Sequence, residues 1–172
     1  MGSLTEEKGY DVVLRALPTI ASSHPDVELV FIGDGPLKAS LQALANDLNV
    51  ASRVRFIGVV ADVRPWLRQS TLLVAPSLSE GLGMAVVEAM AMECPVVASR
   101  VGGLVEVVVH GETGFLVEAG RVPLLAQQVV ELLSSPEERV RLGANGSRHV
   151  QANFTRDRSI AQLQELYETL YR

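Results

Sequence analysis

Cysteine is nearly absent: Cys94 is the only one in 172 residues, so no internal disulfide can form. A chain of this kind suits a reducing compartment such as the cytoplasm. Cys94 precedes Pro95-Val96-Val97 and reads as a small buried residue. No apolar run reaches the ~18 residues of a membrane-spanning helix, and no signal-peptide pattern opens the chain. An excess of basic charge is also missing. Fifteen Lys and Arg face 20 Asp and Glu, a net charge of −5, which argues against a nucleic-acid or anionic-membrane surface. Arginines gather after position 138, but Glu137, Glu138, Glu165 and Glu168 dilute them into a solvated helical surface. His24, His110 and His149 are scattered, read as surface or loop residues, and give no metal-ligand spacing.

What is present is apolar sequence in a regular order. At 48% hydrophobic, the chain has enough length for one good core. Short runs rich in Val, Ile and Phe predict buried strands at 27–32, 53–57, 71–74, 95–98 and 114–117. Helical spacing fills 9–22, 36–47, 61–69, 84–92 and 103–109, and predicts three longer helices at 122–133, 136–149 and 156–171. Pro36 is expected at the first position of its helix. Strands alternating with helices predict an α/β fold, a Rossmann-like parallel sheet with helices on both faces, in a single domain over 1–172. Met1-Gly2-Ser3 reads partly as an added start, and the turn at Leu4–Gly9 follows no strand although the pattern needs one. The expectation is therefore a piece of a longer protein.

In such a sheet, ligands bind beyond the carboxyl ends of the strands. The expected rim loops are the turn before Lys8, Gly33–Pro36, Gly58–Asp62, Pro76–Gly83 and Ser99–Gly103, all rich in Gly, Ser or Asp. Two carboxylates, Glu80 and Glu88, bracket the richest of them, Glu80-Gly81-Leu82-Gly83. Ser77-x-x-Glu80 fits a capping box, with Glu88 then a solvated helical residue. The glycines favour a second reading, in which the main chain opens for a ligand. Free N–H groups at a helix start form an anion site, which would hold a diphosphate at Leu82–Met84 with Lys8 as a point charge. Carboxylates accept hydrogen bonds from vicinal hydroxyls. A helix rises about 7–8 Å from Gly83 to Glu88, so Glu80 could stand on a sugar and Glu88 on a ribose.

Glu80-x7-Glu88 within SEGLGMAVVEAMA, followed by PVVAS, VGG-x-x-E and GETGFLV, resembles the C-terminal, donor-binding half of retaining GT-B glycosyltransferases of the group 1 (family 4) type. LTEEKGYDVVLRAL, HPDVELVFIGDGP and RVRFIGVV are similar to that family too, in its order, so the resemblance spans nearly the whole chain. It implies two Rossmann-like domains with the active site between them, the N-terminal acceptor domain lying outside this chain. It also implies a nucleoside diphosphate sugar as partner and no bound metal or other cofactor. By the resemblance, Lys8 binds the diphosphate, Glu80 the transferred sugar and Glu88 the ribose. Gly81, Leu82, Gly83 and Met84 line phosphate and sugar, and the backbone around Phe56, Ile57 and Gly58 borders the base, with Gly33 on the neighbouring rim loop. Ser3 departs from the pattern, since the family usually carries an Arg five positions before the Lys. Two other readings stand beside this one: an epimerase or phosphorylase on the same architecture, and a non-catalytic module that uses its rim for a protein partner.

Overall fold

The computed structural model describes residues 1–170. Position 171 of the last expected helix lies outside them. Five strands alternate with helices in chain order: α1 (Tyr10–Ser23), β1 (Leu29–Ile32), α2 (Lys38–Asp47), β2 (Val54–Gly58), α3 (Arg64–Gln69), β3 (Leu73–Ala75), α4 (Met84–Ala91), β4 (Val96–Ser99), α5 (Leu104–Val107) and β5 (Phe115–Val117). Three helices without intervening strands follow: α6 (Val122–Ser134), α7 (Pro136–Asn153) and α8 (Arg156–Leu170). A 3-10 turn, Glu6–Lys8, precedes α1.

Every strand pair is parallel, as the continuous apolar runs require. Side chains alternate across the sheet. On β4, Val97 enters one core with Leu14, Leu17, Leu125 and Val129, while Val96 and Ala98 enter a second with Val86, Met90, Leu104 and Val107. Helices α1, α2 and α6 cover the first face; α3, α4 and α5 cover the second. The hydrogen-bonded ladder falls into two pieces, β1–β2 and β3–β4–β5, with no strand pairing β1 to β3 among the described residues.

Several helices start or stop away from their expected positions because side chains and turns claim the backbone. Helix α2 begins at Lys38, two residues after Pro36, since the Leu37 N–H is drawn to the Leu4 carbonyl (3.0 Å) and Asp34 accepts the Gly35 N–H (2.8 Å). Asp62 accepts the Arg64 N–H (2.9 Å), which delays α3 to Arg64. The expected helix over 103–109 is cut to Leu104–Val107 because the Val109 N–H turns to Thr113 Oγ1 (2.9 Å). Helix α7 runs four residues beyond its expected end, to Asn153, and carries His149, which is therefore neither a loop residue nor fully at the surface.

Candidate functional site

Three rim segments meet at the start of α4. The Glu7 carbonyl accepts the N–H groups of Leu78 and Ser79 (2.7 and 3.2 Å), tying the 3-10 turn to the loop after β3. That bond carries Lys8 to Glu80, where Lys8 Nζ donates to Glu80 Oε2 at 2.7 Å. The buried Ser77 hydroxyl donates to the same oxygen (3.3 Å). Ser77 and Glu80 therefore bond to each other and cap no helix, and the capping-box reading fails. Beneath them the Tyr10 hydroxyl is pushed up to about 12 by burial and then by the Glu80 charge.

Helix α4 begins one residue after Gly83, whose φ of 81° lies in the left-handed region. A Cβ there would also come 2.4 Å from Leu104 Cδ2, so both backbone and space demand glycine. The Gly83 carbonyl accepts from Val86 and Val87 (2.8 and 3.1 Å). The N–H groups of Met84 and Ala85 precede that first intrahelical bond and point out of the helix start. Val86, Val87, Ala89 and Met90 are buried, while Met84 and Glu88, one turn apart, form the exposed stripe. Glu88 and Lys8 both act on the Met1 α-amino group. Its pKa is lowered to about 6, mainly by burial, further by Lys8, and is partly restored by Glu88.

Gly33 and Gly58 lie on the β1–β2 side of the rim, where the Gly33 N–H donates to the Gly58 carbonyl (2.7 Å). Ile57 is the extra residue of a bulge: the register jumps from Phe31–Phe56 to Ile32–Gly58. Bulges free main-chain groups from a ladder and cluster beside functional sites. The Gly2–Leu4 segment is held along the end of β1, with the Gly2 N–H on the Ile32 carbonyl (2.8 Å) and the Leu4 N–H on the Asp34 carbonyl (3.0 Å). Of this segment Leu4 is buried in the core, while Gly2 and Ser3 are exposed.

Gly102 and Gly103 lie in the Ser99–Gly103 rim loop, and their contact with the Glu80 loop is not visible in the sequence: Gly103 N–H donates to the Gly81 carbonyl (2.8 Å), and a Cβ on Gly103 would come 1.9 Å from that oxygen. The pair is a backbone shelf under Glu80 and Gly81. Among the described residues no group of three His, Cys, Asp or Glu side chains could hold a metal ion.

The family model described as glycosyl transferases group 1 matches residues 1–135. The chain is 34% identical over 176 residues to a lipopolysaccharide core biosynthesis mannosyltransferase of Rhizobium leguminosarum bv. viciae, with 98% of this chain covering 49% of that protein. It is likewise 34% identical to the N-acetyl-alpha-D-glucosaminyl L-malate synthase of Bacillus anthracis, with 92% of this chain on 40% of that one. It thus spans about half the length of the curated relatives it matches. Among solved structures, the C-terminal domain of a Francisella tularensis group 1 glycosyl transferase superposes with a TM-score of 0.83 at 27% identity, over 91% of this chain and 84% of that domain. Anabaena Alr3699/HepE, solved in complex with UDP, superposes at 0.85 and 27% identity, over 99% of this chain and 48% of that one. The fold is that of a GT-B C-terminal domain, and the chain belongs to the group 1 glycosyl transferases.

Proposed function

We propose that residues 1–172 are the donor-binding half of a nucleotide-sugar-dependent hexosyltransferase that transfers sugar with retention of anomeric configuration. The observation that carries the reading is the Lys8–Glu80 pair held against the free N–H groups that open α4, with Glu88 one turn along the exposed stripe. The helix start and Lys8 take the diphosphate, where negative charge grows as the sugar–phosphate bond breaks. Arrival of phosphate on Lys8 frees Glu80 to accept hydrogen bonds from the sugar hydroxyls. Glu88 accepts from the ribose, and the main chain at Ile57 and Gly58 borders the base. Helix dipole and lysine supply the positive charge, so the reaction needs no metal or other cofactor. A structural relative bearing UDP supports the donor class. A free thiol at Cys94 suits work in the cytoplasm.

The acceptor is bound by the half of the protein that lies outside this chain, so the chain alone binds nucleotide weakly and transfers almost nothing. Calorimetry with UDP, GDP and ADP tests the first part: one of them binds, and silence from all three with a folded chain favours a protein-interaction module. Labelled donor tests the second, and rapid transfer by these 172 residues would sink it. The anomer formed by the full-length protein, read by NMR, decides retention.

A further inference from the structure

Glu80 is held at three points, and a ligand can take over only one of them. Its main chain rests on the Gly102–Gly103 shelf: the Gly103 N–H reaches the Glu80 carbonyl (3.3 Å), and a Cβ on Gly102 would come 2.0 Å from that oxygen. Its carboxylate is held through Oε2, by Lys8 Nζ at 2.7 Å and by the Ser77 hydroxyl at 3.3 Å. Oε1 has no hydrogen-bond partner among the described residues, which leaves it open to an incoming hydroxyl.

The two partners of Oε2 differ in kind. Lys8 reaches it on a long, partly exposed side chain, and its ammonium is the group a diphosphate attracts. Ser77 is only 3% exposed, and one torsion sets its oxygen. Its main chain is fixed on both sides. The Pro76 carbonyl packs so closely on Gly9 that a Cβ there would lie 2.2 Å from it, and the N–H groups of Leu78 and Ser79 bond the Glu7 carbonyl. A hydroxyl buried this far is costly unless it is bonded, and Ser77 bonds Glu80. Behind the pair lies a hollow of about 20 Å³ bordered by Lys8, Tyr10, Ser77, Glu80 and Gly83. That is room for a single water.

We infer that Ser77 is a positioning residue for the sugar-binding carboxylate. When Lys8 turns to the diphosphate, the buried hydroxyl keeps Glu80 Oε2 in place and Oε1 presented to the sugar. Without it, the carboxylate folds back toward the hollow or swings out into water. A site built this way binds the nucleotide without Ser77 and the sugar only with it, because a locked supporting side chain holds the one that touches ligand. The inference rests on the donor-binding reading above.

Calorimetry on the full 172-residue chain tests it, with UDP, GDP, UDP-glucose, UDP-N-acetylglucosamine and GDP-mannose as ligands and Ser77→Ala and Ser77→Thr beside wild type. In Ser77→Ala the sugar donor that wild type binds is expected to weaken about tenfold, the low end for a hydrogen bond to a charged group. The matching nucleoside diphosphate should keep its affinity. Ser77→Thr, which retains the hydroxyl, should recover the donor. A serine that served packing alone would lower both ligands together and would show in urea unfolding at neutral pH. Equal losses, an unaffected donor, or a donor loss that Ser77→Thr does not recover each overturn the inference while wild type still binds. A wild-type chain silent toward every ligand sinks the donor-binding reading itself, and the role of Ser77 with it.

Discussion

Lys8 Nζ and Glu80 Oε2, 72 residues apart in sequence, lie 2.7 Å apart where the 3-10 turn meets the loop after β3. Both side chains are only partly buried, at 27% and 16% exposure, so water and ligands reach the pair. A diphosphate must compete with Glu80 for the ammonium. Glu80→Gln is therefore expected to tighten UDP or GDP binding by about two- to fivefold, the ~0.5–1 kcal/mol of a partly exposed ion pair, while weakening the intact sugar donor. Lys8→Ala weakens both. Calorimetry at low salt measures this, and an equal loss of nucleotide affinity in the two variants would contradict the competition.

Glu88 stands one turn beyond Met84 on the exposed stripe of α4. Its removal should cost little stability and act on the ligand alone. Glu88→Ala is expected to weaken the preferred nucleoside diphosphate by about 10- to 150-fold, the ~1.5–3 kcal/mol range of a hydrogen bond to a charged group. The same substitution should make no difference to a dideoxyribose analogue. A loss that persists with the analogue would place Glu88 away from the ribose.

Gly103 carries no positive φ, so its requirement is one of space alone: a Cβ would sit 1.9 Å from the Gly81 carbonyl oxygen and 2.9 Å from Leu82 Cα. Gly103→Ala must push the Glu80–Gly83 loop off its shelf. Nucleotide binding should fall at least as far as in Lys8→Ala, and unfolding should cost about 1–3 kcal/mol less, the range for overpacking a filled site. Gly81 has open space around its Cβ position, so Gly81→Ala serves as the control and should keep its stability. Denaturant unfolding of both variants separates them.

Much of this arrangement was legible in the order of residues. Runs such as Val96–Ser99 are apolar on both faces and could only be a central parallel strand, and the period of 84–92 placed Glu88 outward. Element ends were less legible, because they depend on partners far away. Pro36 is a good first helical residue locally, yet the Leu4 carbonyl holds Leu37 in a turn. Ser77-x-x-Glu80 fits a cap in one dimension, but Lys8 claims the carboxylate in three. The gap between β1 and β3 was foreshadowed only by a turn that follows no strand. Its position depends on strand order, which spacing does not encode.

Two buried groups set the behaviour of the fold in alkali. Burial pushes the Cys94 thiol from 9.0 up to about 12, slightly offset by a backbone hydrogen bond, and Tyr10 rises from 10.0 to about 12. A raised pKa means that the folded state keeps its proton where the unfolded chain has lost it. Each group's contribution is thus fully present below its unfolded value and declines as pH rises toward the folded one. Stability should fall from about pH 9 through Cys94, then more steeply from about pH 10 as Tyr10 joins, at ~1.4 kcal/mol per pH unit for each group. Urea unfolding at intervals from pH 8 to 11 measures the slope. Cys94→Ala should remove the decline that begins near pH 9, and Tyr10→Phe the added steepness above 10. A wild-type curve that stays flat to pH 11 would show that neither group is sealed from water, and a Cys94→Ala curve parallel to a declining wild-type curve would show it for Cys94.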